Sequence, residues 1–283
     1  MKKVLVLIPT RDRPSLTLEA IVSVTNQTYT NWECLVIDDG SNQENYDLLT
    51  KKLKPIPNVK VSRNDISKGP AACRNFALRI TDYNYVAFLD SDDLWMKEKL
   101  EKQVNALEQR NKEWIHCNEL WMRNNKTVNQ KKIHRKQGGL FWKRSVSRCL
   151  ISPSAVLFKR AFFQELGGFK ESFPVAEDYE LWLRALEKNS VGYLSEPLVL
   201  KRAGDWQQLS SIQEIDRYRV LALHRALRRL RACTGKANRV RLNKLIEEGL
   251  KKTQVLVAGA KKHKSHRLAQ YQSWMYLFNK LRT

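Results

Sequence analysis

The sequence predicts an α/β protein in which a mostly parallel central sheet is flanked by helices. Short apolar runs alternate along the first half with segments of helical periodicity, a pattern typical of βαβ units. The run 86–89 is apolar throughout, as expected of a strand that is buried on both faces of a sheet. It ends abruptly in carboxylates, and the ligands of open α/β sheets bind at such strand ends.

The length and composition are those of a globular protein with a substantial core. The chain has 283 residues, of which 42% are hydrophobic and 28% are charged, so a disordered chain is excluded. Its five cysteines form no CxxC pair, which favours a reducing compartment over a zinc site or a disulfide framework. The N-terminal apolar run stops at Pro9, and no apolar stretch reaches the roughly 18 residues of a membrane span. We therefore expect a cytoplasmic protein.

The elements of the first half follow from local patterns. Pro14 suits the first turn of a helix, and Gly69-Pro70 opens another. The apolar runs between the helical segments predict strands at 3–8, 32–37, 59–61 and 85–89. Helices are expected from residue 14 onward, at about 44–53 and at 70–80.

The second half is predicted to continue with a helix, a strand, a basic loop and a further strand, at 94–109, 114–117, 124–135 and 151–158. Another helix begins near Glu177, because apolar residues recur from Tyr179 at i, i+3, i+4 and i+7, the spacing of one buried helical face. From about residue 212, apolar periodicity predicts three more helices.

The strand at 85–89 ends in three carboxylates, those of Asp90, Asp92 and Asp93. Carboxylates packed this closely repel one another unless a cation or hydrogen-bond donors offset the charge. Mg²⁺ and Mn²⁺ prefer oxygen ligands, often one or two carboxylates together with substrate phosphates. The cluster therefore predicts a metal site. The alternative is a turn in which Asp and Ser cap the following helix.

Two other strands of the first half also end in polar residues. Thr10 follows the first strand, and Asp38 and Asp39 follow the second. Aspartate can accept a hydrogen bond from a base N–H or a ribose hydroxyl, and threonine can do so at a base edge. Arg74 adds a positive charge near a helix N-terminus, which suits a phosphate. These residues predict a nucleotide site, although Asp-Asp-Gly also suits a plain turn.

A second pair of acids, Glu177 and Asp178, stands at the start of a predicted helix. The helix dipole favours the charged form of a carboxylate in the first turn. An ionised carboxylate is what a general base needs in order to take a proton from a hydroxyl group. The alternative is that these acids merely complement the dipole.

Taken together, these segments resemble the family 2 glycosyltransferases of the GT-A fold. The matching motifs run in the family's order over about residues 3–200: Ile8-Pro9-Thr10 with Arg13, VIDDGS at 36–41, Gly69 with Arg74-Asn75, FLDSDD at 88–93, LGGF at 166–169 and AEDYELWLR at 176–184. The resemblance implies a GT-A domain at 1–205, with a nucleotide-binding half at 1–110 and an acceptor half at 111–205. A basic helical C-terminal region follows at 206–283.

On the donor side, the resemblance implies contacts between the nucleotide and five residues: Thr10, Arg13, Asp39, Arg74 and Asp92. It also implies that Mg²⁺ or Mn²⁺ is held by the DSDD motif, through Asp92, Asp93 and Asp90. Many relatives carry a metal-binding histidine where this chain has Asp205 and Trp206, so the third metal ligand is not identified.

On the acceptor side, the resemblance implies that Asp178 is the catalytic base. Glu177, Trp142 and Trp206 are expected beside the acceptor, with a buried core position as the alternative for Trp142. The implied reaction moves a sugar, with inversion, from a nucleoside-diphosphate sugar to a glycan or lipid-linked acceptor, and UDP is the expected nucleotide. We expect a hexosyl- or N-acetylhexosaminyltransferase of surface polysaccharide or lipopolysaccharide biosynthesis.

The positive charge is concentrated at the C-terminal end. Residues 217–283 contain 18 Lys or Arg and two acids, and they account for +16 of the formal +22. Basic amphipathic helices favour an anionic membrane surface, which we expect to be bound through residues 212–283 at the cytoplasmic face. The alternative is a helical cap whose apolar face packs on the catalytic domain. A second hypothesis, a nucleic-acid-binding protein, lacks a known binding motif and leaves the acidic strand ends unexplained, so no nucleic acid is expected.

Overall fold

The computed structural model describes residues 1–124, 126–206, 215–231 and 236–282, of which 236–238 are described without their side chains. The strands in these residues are β1 (Val4–Thr10), β2 (Trp32–Asp39), β3 (Val59–Asn64), β4 (Tyr85–Phe88), β5 (Leu94–Trp95), β6 (Trp114–Arg123), β7 (Lys126–Val128), β8 (Val156–Lys159) and β9 (Gly192–Ala203). The α-helices are α1 (Pro14–Thr25), α2 (Gln43–Leu53), α3 (Pro70–Arg74), α4 (Lys99–Gln109), α5 (Trp142–Ser147), α6 (Arg160–Leu166), α7 (Glu177–Lys188), α8 (Ile215–Arg231), α9 (Lys236–Lys262) and α10 (Leu268–Lys280).

All described strands belong to one sheet, in the order β3-β2-β1-β4-β8-β6-β9-β5, with β7 paired to β6. The first four strands in this order run parallel, as the strand–helix alternation predicts. Beyond β4 the sheet is mixed, because β8 is antiparallel to both β4 and β6, while β9 is parallel to β6. The predicted α/β class is confirmed, with the parallel part confined largely to the first half.

Two predicted helices begin or end differently from expectation. Residues 94–95 form β5, which pairs with β9, and the helix expected from residue 94 begins at Lys99. The helix expected at 70–80 is α-helical only at Pro70–Arg74 and continues as a 3-10 turn, Asn75–Arg79. In both places a tertiary contact outweighs the local preference: β5 gains a strand partner, and Asn75 binds the backbone of Phe169.

The sheet is covered on both faces. Alternate residues of β1 point to opposite sides, so that Val4, Val6 and Ile8 pack with α1, α2 and α4. Leu5 and Leu7 belong to the other cluster, which contains Phe88 of β4, Phe158 of β8 and Trp182 of α7. This alternation is the reason that each buried strand is apolar at successive positions.

The C-terminal helices pack on this second cluster. Leu223 and Leu227 of α8, Leu250 of α9 and Phe278 of α10 are all buried within it. A Cβ atom at Gly249 would lie 2.3 Å from Cε1 of Phe278, so α9 and α10 approach closely at this glycine. The apolar faces of these helices therefore form a cap, which is one of the two expected arrangements. Residues 207–214 of the predicted C-terminal region lie outside the described residues.

None of the described helices combines the length and the apolar character that a membrane span requires.

Candidate active site

The carboxyl ends of three parallel strands lie side by side, because β1 pairs with β2 on one side and with β4 on the other. Thr10, at the end of β1, is in register with Asp38 of β2. The hydroxyl of Thr10 is buried and shares a hydrogen bond with Thr17 Oγ1 at 2.6 Å. The strand order thus brings the polar ends predicted from sequence to one edge of the sheet.

Asp39 ends β2 and organises the loop that precedes α3. Its Oδ1 accepts hydrogen bonds from Asn64 Nδ2 (2.9 Å) and Lys68 N (2.8 Å). Its Oδ2 accepts from Ser67 Oγ (2.8 Å) and Gly69 N (2.9 Å). Burial raises the pKa of Asp39, but these four donors outweigh burial and leave that pKa lowered. The carboxylate is thus ionised and shapes the loop. Its contact with the base of a nucleotide stays a prediction.

The first two carboxylates of the DSDD motif have different partners. Asp90 Oδ1 accepts a hydrogen bond from Arg74 Nη2 at 2.6 Å. Asp92 Oδ2 accepts one from Trp206 Nε1 at 2.9 Å, and Arg13 Nη1 lies 3.6 Å from the same oxygen. Arg13 and Trp206, both expected at the site, therefore meet at one carboxylate oxygen.

The third carboxylate, Asp93, is turned into the protein. Its Oδ2 accepts from Ser154 Oγ (2.6 Å) and its Oδ1 from Arg202 N (3.1 Å). Burial raises the pKa of Asp93 to about 7, and the other carboxylates of the motif add to this against the opposing charge of Lys201. These contacts support the turn of the motif, and they do not favour the predicted role of Asp93 as a metal ligand. The sequence could not predict Ser154 or Arg202 as partners of Asp93, because both residues lie far from Asp93 along the chain.

Arg74 joins the two acidic motifs. Its buried guanidinium donates from Nη2 to Asp90 Oδ1 and from Nη1 to Glu177 Oε1, both at 2.6 Å, and it lies 5.2 Å from the ring centroid of Phe169. Burial lowers the pKa of Arg74, but the two carboxylates outweigh that effect and raise it. We expect Arg74 beside the nucleotide, whereas the structure commits two of its nitrogens to protein carboxylates. This bridge places the end of β4 next to the start of α7.

The start of α7 presents the predicted catalytic base. Ala176, which precedes the helix, has φ 59° and ψ 22°, a left-handed conformation that costs a non-glycine residue on the order of 1 kcal/mol. Glu177 is buried, which raises its pKa to about 7 against the opposing charge of Arg74. Asp178 is partly buried, and its Oδ1 accepts from Tyr179 N at 2.6 Å.

Cys149 is a further contact of the predicted base. Its Sγ donates to Asp178 Oδ2 at 3.3 Å and lies 3.4 Å from the carbonyl oxygen of Ile151. Burial and the charge of Asp178 raise the pKa of the Cys149 thiol, so it remains protonated and can donate. A lone cysteine in a sequence gives no sign of this role. The sequence motifs therefore could not predict the contact between Cys149 and Asp178.

The expectation that Trp142 stacks on the acceptor is wrong. Its side chain is buried in the core cluster of α5 and α7, and Arg241 of α9 lies over its ring at 5.7 Å from the centroid. Trp206, in contrast, lies at the site through its bond to Asp92. A Cβ at Gly204 would meet the Trp206 ring at 2.0 Å, so only glycine allows this ring to fold back on the chain.

Asp90 and Asp92 are the carboxylates of the motif that fit a divalent cation. Each has one oxygen bonded as described above, and the other oxygen accepts no hydrogen bond from a described residue. One or two carboxylates plus substrate phosphates form the set that Mg²⁺ usually takes in proteins. In the part of the chain that the structure describes, no three His, Cys, Asp or Glu side chains group as a metal site. Substrate phosphates and water would therefore supply the other ligands.

The family model described as Glycosyl transferase family 2 matches residues 5–167, which is more than half of the chain. The chain belongs to glycosyl transferase family 2. The matched range of this family 2 chain includes the strand ends that carry Thr10 and Asp39, the DSDD motif and Arg74. It ends just after α6, before Glu177 and Asp178.

Curated relatives of the family 2 chain include two bacterial proteins. UDP-Glc:alpha-D-GlcNAc-diphosphoundecaprenol beta-1,3-glucosyltransferase WfgD of Escherichia coli is 31% identical over 190 residues, which are 67% of this chain and 72% of WfgD. An uncharacterized glycosyltransferase of Rickettsia conorii is 34% identical over 200 residues, which are 69% of this chain and 32% of the relative. The chain thus spans about a third of the length of the Rickettsia protein.

A solved structure shares the fold. The crystal structure of S. aureus TarS 1-349 in complex with UDP-GlcNAc matches 98% of this chain and 92% of that chain with a TM-score of 0.72. The sequence identity is 17%, so this likeness concerns the fold and not the residues of the site. It agrees with the GT-A fold that the motifs imply.

Proposed function

We propose that this chain transfers a sugar, with inversion, from a nucleoside-diphosphate sugar to a lipid-linked or glycan acceptor. The observation that carries the proposal is the Arg74 bridge, which joins Asp90 of the DSDD motif to Glu177, the neighbour of Asp178. A donor at the strand ends and an acceptor at the start of α7 would thereby face each other. Inverting transfer needs that geometry, because the nucleophile attacks from the side opposite the leaving group.

In this mechanism Asp178 takes the proton of the acceptor hydroxyl as that hydroxyl attacks the anomeric carbon. The bonds from Tyr179 N and Cys149 Sγ orient the carboxylate. A carboxylate has about four lone-pair sites, so two bonds leave room for the acceptor hydroxyl. Inversion follows from a single displacement.

On the donor side, negative charge develops on the diphosphate as the bond to the sugar breaks. Mg²⁺ or Mn²⁺, when bound by Asp90 and Asp92, would stabilise that charge as a Lewis acid. Arg13 adds a positive charge close to Asp92. Thr10 and Asp39 stay the proposed contacts of the nucleobase. An incoming nucleotide would then replace some of the bonds that Asp39 makes to the loop.

UDP is the proposed donor nucleotide, and a surface polysaccharide precursor is the proposed product. WfgD is named as a UDP-glucose-dependent enzyme acting on a diphosphoundecaprenol-linked sugar, and TarS was crystallised with UDP-GlcNAc. A donor screen that follows release of the nucleoside diphosphate tests this choice. Release of UDP from UDP-sugars only in the presence of acceptor supports the proposal. If none of the UDP-sugars and none of the other nucleotide sugars is turned over, the proposal is contradicted.

We expect Asp92→Asn to raise the Mg²⁺ or Mn²⁺ concentration needed for half-maximal transfer by about tenfold or more, because the change removes a negative ligand. Titration of activity with each metal measures this. Asp93→Asn should instead chiefly lower stability, since Asp93 holds Ser154 and Arg202 inside the protein. Undiminished activity of the wild type in excess EDTA would contradict the metal site, and a larger metal shift in Asp93→Asn would reassign the ligand.

The C-terminal helices are also proposed to hold the protein at an anionic membrane surface, at the cytoplasmic face. Many of their apolar side chains are buried in the cap, and we assign the attraction to charge. Residues 261–267, here called the basic turn, join α9 to α10 with the sequence Lys-Lys-His-Lys-Ser-His-Arg. Lys261, Lys262 and Lys264 are exposed there, and near an anionic surface each lysine contributes about 1 kcal/mol.

We expect Lys261→Glu with Lys262→Glu to weaken binding to phosphatidylglycerol vesicles roughly 30-fold or more, because two attractive charges are lost. Vesicle sedimentation at low salt measures the affinity, and binding should fall further as salt rises. The matched control is Lys51→Glu with Lys52→Glu, an exposed pair on α2. Equal weakening by both pairs would show a general charge effect and not a membrane-facing turn.

Nucleic-acid binding is the alternative function. The acidic strand ends would repel phosphate unless a cation were present, and family membership accounts for them without a nucleic acid. A salt titration against duplex DNA tests the alternative. Tight binding that resists physiological salt would favour it.

A further inference from the structure

An open groove of ≈ 820 Å³ lies between α9 and the segment 132–150 of the acceptor half. We call it the basic groove. Five of its lining side chains are basic and one is acidic: Lys132, Lys143, Arg144, Arg148 and Lys244 against Glu247. It shares no lining residue with the cluster of Asp90, Asp92 and Arg13 at the strand ends.

Three of these cations have no counter-charge among the described residues. The side chains of Lys132, Lys143 and Arg148 make no hydrogen bond or ion pair with any residue in the described ranges, and all three residues are exposed. Glu247 and Glu248 are paired with Lys244 at 3.3 and 2.9 Å. Cations that converge in a concave site repel one another and raise the local concentration of a multivalent anion.

The neighbouring His134 reports the same positive field. Its burial lowers its pKa, and the charges of Arg148, Lys136 and Lys131 lower that pKa further. A diphosphate, which carries several negative charges in a small volume, is the kind of ligand that such a field attracts.

Apolar surface lies beside the charge. Ile133 is 50% exposed and Val240 of α9 is 52% exposed, and both line the groove. A simple phosphate or a nucleotide sugar would leave these side chains in water. A diphosphate that carries an apolar chain would cover both the cations and this apolar surface.

The groove borders the predicted base. Arg148 and Leu150 line it, and Cys149 between them donates its thiol to Asp178 Oδ2 at 3.3 Å. Ser147, another lining residue, binds Glu248 of α9 at 2.8 Å and ties this segment to the cap. Residues 148–150 thus separate the groove from Asp178, and a sugar joined to a diphosphate in the groove would have to reach over them.

We propose that the basic groove binds the diphosphate of an acceptor in which a sugar is linked through diphosphate to a polyprenyl-type chain. Lys132, Lys143 and Arg148 contact the diphosphate, and the first units of the chain lie along Ile133 and Val240. The cap thus completes the acceptor site, since α9 forms one wall. This inference rests on the proposed transfer to a lipid-linked acceptor and names the part of the protein that selects it.

The test compares two acceptors that carry the same sugar, one on a short prenyl diphosphate and one on a neutral octyl group. For Lys143→Glu with Arg148→Glu, we expect KM for the diphosphate acceptor to rise about ten- to a hundredfold, because two charged contacts are lost. KM for the octyl acceptor and the affinity for UDP should be unchanged. The control, Lys51→Glu with Lys52→Glu, should behave as wild type with both acceptors. Equal KM changes for the two acceptors would overturn the proposal.

A binding measurement separates this proposal from the proposed function. With the donor site saturated by UDP, titration calorimetry follows the binding of farnesyl diphosphate, of inorganic pyrophosphate and of farnesol. We expect farnesyl diphosphate to bind best and to lose about tenfold or more in the groove variant. Unchanged affinity in that variant would overturn the groove. If the affinity falls while wild type transfers sugar to neither acceptor, the groove stands and the proposed function fails. Loss of phosphatidylglycerol vesicle binding in the groove variant, with farnesyl diphosphate binding intact, would assign the groove to the membrane surface.

Discussion

Replacing Asp178 with asparagine is expected to lower kcat for transfer by about 10²–10⁴-fold, the usual cost of losing a general base. Asparagine keeps the size of the side chain and can still accept bonds from Tyr179 N and Cys149, but it cannot take the proton of the acceptor. The affinity for UDP should change little, because the nucleotide is proposed to lie at the strand ends. Steady-state kinetics and a separate UDP titration measure the two quantities.

The control for Asp178→Asn is Glu165→Gln. It likewise removes one carboxylate, but on α6, where Glu165 forms an exposed ion pair with Lys188. Its kcat should stay close to wild type. Glu177→Gln tests the neighbouring acid, and we expect it to reduce stability more than the chemical step, because Glu177 is a buried partner of Arg74. If Asp178→Asn loses less than a few-fold in kcat, the proposed mechanism fails. A larger loss of kcat in Glu177→Gln would move the base by one residue.

Replacing Arg74 with methionine is expected to lower the free energy of unfolding by about 3–5 kcal/mol. Methionine fills much of the volume but leaves Asp90 and Glu177 without their shared cation, and Glu177 is buried. Activity should fall as well, because the bridge sets the distance between the DSDD motif and α7. Urea denaturation followed by circular dichroism measures the stability.

The matched control for this change is Arg79→Met, at the end of the 3-10 turn that follows Arg74. Arg79 is exposed and lies 4.9 Å from the ring centroid of Phe76, so its replacement should cost about 1 kcal/mol or less. Similar losses in both variants would mean that Arg74 is not special to the fold. Full stability together with lost UDP affinity in Arg74→Met would restore the nucleotide role implied by the family resemblance.

Local patterns were sufficient to predict the donor-side strand ends. Apolar runs alternate with helical segments over short distances, and a parallel sheet must then place the ends of β1, β2 and β4 on one edge. Thr10, Asp39 and Asp90 could be placed in this way, because their position depends only on the strands they follow. The start of α7 at Glu177 was likewise visible in its apolar spacing.

Periodicity could not decide what covers a buried face. The C-terminal helices have apolar stripes whether they meet a membrane or a protein core, and only packing shows that Phe278 fills the space beside Gly249. Trp142 is a similar case, because the sequence does not separate a sugar platform from the more common core position. Its burial depends on α9, which comes about one hundred residues later.

The sequence by itself determined the fold class, the family and the set of acids from which the site is built, because these depend on residue type and short-range spacing. Only the tertiary structure decided how those acids are used. Arg74 meets Glu177 across 103 positions, and Asp93 meets Ser154 across 61. Such partners come together through the packing of β4, β8 and α7, and no spacing along the chain encodes which carboxylate will turn inward and which will stay at the edge of the sheet.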